Sequence, residues 1–160
     1  MRSKGILHLA GFTLIELVIV IVVISILSTY AIMKSAPAAE ITLPSQAQKL
    51  ASDIRHAQVL ATSWGKSLRL NLISGANGTY SVSCVTSGSF PCDVSPVNNP
   101  ASGSSFSVSL QKSVVLAGNS TLDFNSLGQP SAEASYTLTS GSSTTTVSVA
   151  ALTGFVTVSR

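Results

Sequence analysis

Charge is scarce in this sequence. Only 9% of its 160 residues are Asp, Glu, Lys or Arg, where a soluble cytosolic protein carries roughly a quarter. Histidine is limited to His8 and His56, so no histidine cluster is available to hold a metal. Cysteine is limited to Cys84 and Cys92, whose spacing suits a closed loop and not a tetrahedral site. No G-x-S-x-G elbow occurs, and the many serines read as the polar surface of a sheet. Gly75-Ala-Asn-Gly78 lacks the lysine and the following helix that a phosphate loop requires. No acid, base or nucleophile grouping remains from which to build an active site, so neither an enzyme nor a cofactor or metal is expected.

What the sequence does have is one long apolar run and a change of solvent. Hydrophobic residues make up 45% of the chain, and between Leu17 and Met33 there is no charge at all. From residue 34 onward the composition turns to Ser, Thr and Gly with scattered apolar residues. The length suits one membrane helix and one small domain, not two independent cores. Phe12 to about Met33 is apolar except for Thr13, Glu16, Ser25, Ser28, Thr29 and Tyr30. As an α-helix at about 1.5 Å per residue it covers the ~30 Å hydrocarbon core of a bilayer. Its Val and Ile are mediocre helix formers in water, but a strand in lipid would leave its backbone unpaired at greater cost.

Arg2 and Lys4 precede this run as a positive-inside anchor. The small pair Ala10-Gly11 stands before the run, whereas an ordinary secretory signal places its small residues after it. Cleavage at Gly11 would therefore leave the helix on the mature protein. It would also remove Arg2 and Lys4, so that seven basic residues face six acids and the formal +3 becomes about +1. The pI near 9.1 is then weak support for nucleic-acid binding.

Pro37 should kink or end the first helical segment. A second, amphipathic helix is expected from about Pro44 or Ser45 to Ser63, within a helical region of residues 36–64. Its apolar stripe is Ala47, Leu50, Ala51, Ile54, Ala57, Ala61 and Trp64, with Gln48, Lys49, Ser52, Asp53, Arg55 and His56 on the polar side. Pro44 in the first turn and Gly65 past the end fit helix start and stop chemistry. Beyond Gly65, period-two patterns predict strands near 67–73, 79–85, 106–110, 114–116, 121–124, 135–139, 144–149 and 155–158. Segments 74–78 and 140–143 read as hairpin loops, 127–130 as a turn, and 93–105 as a longer surface loop. An amphipathic helix followed only by antiparallel strands implies an α+β fold, with the sheet packed over the helix stripe.

Gly11-Phe-Thr-Leu-Ile-Glu16-Leu, at the mouth of the apolar helix, resembles the class III signal of type IV pilins and type II secretion pseudopilins. The resemblance implies a leader of residues 1–11, cut after Gly11 by a prepilin peptidase that also methylates Phe12. It places an assembly acid at Glu16 and an inner-membrane helix at 12–35, and it makes other pilin or pseudopilin subunits the partners. Ser25 stands where many major pilins have Gly, and Met33 where they have Pro. A carboxylate in hydrocarbon costs about 2.5–3.5 kcal/mol on insertion scales, so an acid at position 16 suits a partner such as the Phe12 amine of a neighbouring subunit. The alternative is an acid that snorkels to water at the membrane edge.

The remaining chain carries a second likeness. Leu50-Ala-Ser-Asp-Ile-Arg-His-Ala57, Leu122-Asp-Phe-Asn-Ser-Leu-Gly128 and the ending from Val147 to Val158 resemble the GspH/FimT family of pseudopilins and minor pilins. This implies a pilin-like fold, with a periplasmic β-rich domain over 65–160 carried by a single-pass inner-membrane helix and incorporated into a pilus or a secretion pseudopilus. In an oxidising periplasm Cys84 and Cys92 would form a disulfide, the alternative being two unpaired thiols. Some members of this branch bind DNA through a C-terminal G-R-x-R motif. Here that stretch reads Gly154-Phe-Val-Thr-Val-Ser-Arg160, leaving Arg55, Lys66, Arg69, Lys112 and Arg160 as the candidate DNA contacts. Asn77-Gly-Thr79 and Asn119-Ser-Thr121 fit the glycosylation pattern, a short motif that recurs by chance in Thr-rich chains.

Overall fold

The computed structural model describes residues 14–34, 38–111 and 114–160, with side chains described over 14–25 and, within those ranges, from 43 onward. The chain divides into two units at the Pro37–Ala38 boundary. In the first, α1 (Leu14–Lys34) is one uninterrupted helix, consistent with Met33 in place of a proline, and it ends before Pro37. Its apolar side chains from Leu14 to Ile24 are exposed. The Ser25 hydroxyl donates to the Ile21 carbonyl at 2.7 Å, so the helix backbone satisfies that polar group locally. The described side chains span about 18 Å at about 1.5 Å per residue, and among the described residues no helix is long and apolar enough to cross a membrane.

The second unit is built on α2 (Ala38–Trp64), which begins six residues before Pro44. The expectation of a start at Pro44 is corrected: Pro44 lies inside the helix, where it removes one backbone hydrogen bond. At the other end Gly65 adopts φ 63°. Lys66 N–H donates to Ala61 O at 3.1 Å and Gly65 N–H to Thr62 O at 3.3 Å, the paired bonds of a Schellman stop.

The expected stripe is buried as read, except that Trp64 is only half-buried; Leu43 and Leu60 extend it. Four of its members are alanines, so the helix axis lies close to the strands. Asp53, expected on the polar side, is buried at 9% exposure. Helical geometry places it beside Leu50 and Ala57 on the core face, where a hydrogen-bond donor awaits it.

The strands are β1 (Leu68–Ile73), β2 (Gly75–Ala76), β3 (Thr79–Cys84), β4 (Ser107–Ser109), β5 (Val115–Gly118), β6 (Thr121–Phe124), β7 (Ala134–Ser140), β8 (Ser143–Val149) and β9 (Val156–Ser159). They form two antiparallel sheets, ordered β4-β3-β1-β6 and β2-β5-β7-β8-β9, not the single sheet expected. The switch occurs in the predicted 74–78 loop, where Gly75 and Ala76 pair with Leu116 and Val115. The tip of the β1–β3 hairpin thus joins the second sheet, and Gly78 permits it, since a Cβ there would stand 2.5 Å from that of Leu116. Both sheets turn alternate residues onto α2: Leu68, Leu70, Leu72, Tyr80 and Val82 from one, Tyr136, Leu138, Val147 and Val149 from the other. The loop of residues 93–105 is tied into the domain by Val97, whose N–H donates to Val82 O and whose carbonyl accepts from Phe106 N–H.

Candidate functional site

Of the residues implicated in processing and assembly, Gly11 and Phe12 lie outside the described residues, as does Lys112. Glu16 lies near the start of the described part of α1. Its neighbours Leu14, Ile15 and Leu17 are all more than half exposed. The helix therefore presents one acid amid exposed apolar side chains.

Cys84 and Cys92 are joined in a disulfide. The bond closes the loop that leaves the end of β3, and Gly88 N–H to Cys92 O at 3.0 Å braces it internally. The described candidate DNA contacts have separate surroundings. Arg55 on α2 donates to the Val156 carbonyl at 2.8 Å. Arg69 on β1 makes a two-pronged pair with Asp123 on β6, at 2.6 and 2.7 Å, and the two stand directly opposite in the strand register. Asp123 holds the Arg69 guanidinium above its usual pKa through that hydrogen bond and its charge. Lys66 borders a cavity with Ser67, Thr86 and Ser89, while Arg160 borders another with Leu43, Pro44 and Thr145. Among the described residues no group of three metal-ligating side chains occurs.

Two side chains that the pattern did not single out organise the domain. Asp53 accepts from the Tyr80 hydroxyl at 2.7 Å and from Lys49 at 3.2 Å, which ties α2 to β3. Burial, reinforced by that bond, pushes the Tyr80 phenol above its ordinary range. Gln58 donates through one amide nitrogen to Gly128 O at 2.8 Å and Thr153 O at 3.0 Å. These carbonyls belong to the β6–β7 and β8–β9 turns, so one side chain of α2 docks both. Gly128 (φ 77°) and Gly154 (φ 68°) are needed at the contact, because a Cβ would stand 2.8 Å from Thr62 Cγ2 at the first and 2.5 Å from Gln58 Nε2 at the second. The sequence signal for this was present: both glycines lie in segments that carry the GspH/FimT likeness, and Gln58 follows directly on the helix motif ending at Ala57.

Comparison with known proteins bears on both units. A family model for the prokaryotic N-terminal methylation motif matches residues 9–32. No curated protein sequence matches the chain. Among solved structures, the type IV minor pilin FimU of Pseudomonas aeruginosa is similar in two crystal forms. One has a TM-score of 0.58 at 13% identity, covering 76% of this chain and 90% of that one. The other has a TM-score of 0.55 at 13% identity, covering 74% and 93%. The fold is thus type IV pilin-like, and it follows a class III methylation signal.

Proposed function

We propose that the chain is a minor pilin or pseudopilin, a structural subunit of a type IV pilus or a type II secretion pseudopilus. The observation that carries this reading is the methylation motif over residues 9–32, joined to a pilin-like domain through a helix whose described apolar side chains are exposed. In this reading a prepilin peptidase cuts after Gly11 and methylates Phe12. Residues 12–35 hold the subunit in the inner membrane before assembly, with the domain in the periplasm. The apolar surface of α1 then exchanges lipid for the helices of neighbouring subunits, and Glu16 compensates the amine of a neighbour's Phe12. DNA binding is the weaker reading, because two of the candidate cations, Arg55 and Arg69, are already engaged and tight binding needs several phosphate contacts.

Expression in a piliated host tests this. Intact mass should show loss of residues 1–11 and gain of one methyl group, and Gly11→Leu should retain the whole leader. Glu16→Gln should be processed and inserted yet fail to enter sheared filaments, since an unpaired buried charge costs about 3–5 kcal/mol. An unprocessed wild-type chain would overturn the proposal, and wild-type incorporation of the Gln variant would remove the charge-pairing step. Deleting the gene separates the two systems, by loss of surface pili or of secreted proteins.

A further inference from the structure

Four large apolar side chains that contribute nothing to the core gather around Gln58. Val59 beside it is 60% exposed, Leu127 75%, Leu152 78% and Phe155 67%. They come from α2 and from the two turns that Gln58 docks, so the sequence scatters them over nearly a hundred positions and the fold assembles them. Each turn is rigidly made. In the first, the Asn125 side-chain oxygen accepts from Leu127 N–H and Gln129 N–H at 3.0 and 2.9 Å. In the second, Ala150 N–H to Phe155 O and Gly154 N–H to Ala150 O close the loop at 2.9 and 3.0 Å. Leu152 is held at φ 67°, a region leucine rarely enters. The four side chains are all apolar, and Arg55, one turn before Val59 on α2, is turned onto the Val156 carbonyl.

We infer that this surface is a docking face for the globular domain of a neighbouring pilin-like subunit; the inference rests on the filament-subunit reading above. Its size selects the occupant. Four side chains at these exposures present about 500 Å², within the ~300–600 Å² of the largest apolar patch on a monomer but below the ~800 Å² per partner of a stable interface. The face does not hold a dimer by itself. It fits a contact between domains already brought together elsewhere, which α1 does for pilin-like subunits. Gln58 lies about 30 Å along α2 from Ala38, at about 1.5 Å per residue, so the partner meets the half of the helix remote from the chain's entry. The apolar character of the four side chains disfavours nucleic acid and anionic lipid as occupants.

The test uses the full chain in its filament-forming host, with a photo-crosslinking amino acid at position 155 and, separately, the double variant Leu127→Asp/Leu152→Asp. The expected results are a covalent adduct whose partner peptide, by mass spectrometry, comes from a pilin-like subunit, and about a tenfold fall in the filament-bound fraction at equal membrane level, the change that accompanies about 1.4 kcal/mol. The isolated fold of the double variant should melt as wild type, because both positions are exposed. Absence of an adduct, an adduct to lipid or to a protein without a pilin fold, or unchanged incorporation of the double variant overturns the inference. If the wild-type chain itself never enters filaments, the subunit reading fails instead, and the two failures are distinct.

Discussion

A carboxylate in an apolar interior is stable only when its lone pairs are met. For Asp53 they are met by Tyr80 and by Lys49, and the two partners are unequal. The Lys49 side chain is 56% exposed, so water screens that ion pair and it contributes little. The Tyr80 hydroxyl bond is buried, and its removal leaves an acceptor short of a donor. Tyr80→Phe should cost about 1–3 kcal/mol in urea denaturation. Adding Asp53→Leu should recover part of that loss, so that the two single costs exceed the double; strict additivity would deny the coupling. The same pair sets an alkaline limit. Tyr80 has its pKa raised in the fold, by burial first and then by Asp53, and burial alone raises Tyr136. Groups with raised values contribute stability fully below the unfolded tyrosine value of about 10 and lose it as pH rises toward the folded value, because only the unfolded chain then ionises. Melting temperature should therefore hold across neutral pH and fall above about pH 10, less steeply in Tyr80→Phe.

At the scale of elements, α2 acts as a post to which turns are fastened. Gly65 and Gly154 offer a controlled comparison, since both take a positive φ near 65° but only Gly154 has a neighbour where a Cβ would go. Alanine at either site bears the left-handed penalty of about 1–2 kcal/mol. Gly154→Ala should cost about 1 kcal/mol more than Gly65→Ala, because it also displaces Gln58 from its carbonyls. In a Gln58→Ala background that excess should vanish, and its persistence would rule out the docking role. The disulfide fastens a different element, the loop after β3. Its closed loop is short, so reduction should lower stability by about 2 kcal/mol. Non-reducing mass spectrometry of the exported protein should find no alkylatable thiol.

For the whole molecule, the buried core found among the described residues runs from Leu43 to Val156. A fragment covering Ala38–Arg160 should be soluble and monomeric by sedimentation, because the exposed apolar helix α1 is gone and the Gln58 face is too small to dimerise. Large oligomers would place the assembly surface elsewhere. Much of this organisation was legible in the chain itself. The apolar run, the helix stripe and most strands follow from period and composition, since a helix or strand repeats its facing residue at fixed steps. Helical period places Asp53 beside Leu50 and Ala57, but local sequence could not show the donor that makes its burial tolerable, because Tyr80 is 27 residues away. Nor could it show that the 74–78 tip crosses to a second sheet, or that Val59, Leu127, Leu152 and Phe155 share one surface. Those outcomes depend on which remote strands pair and which turns reach α2, and such contacts form only when the chain closes on itself in three dimensions.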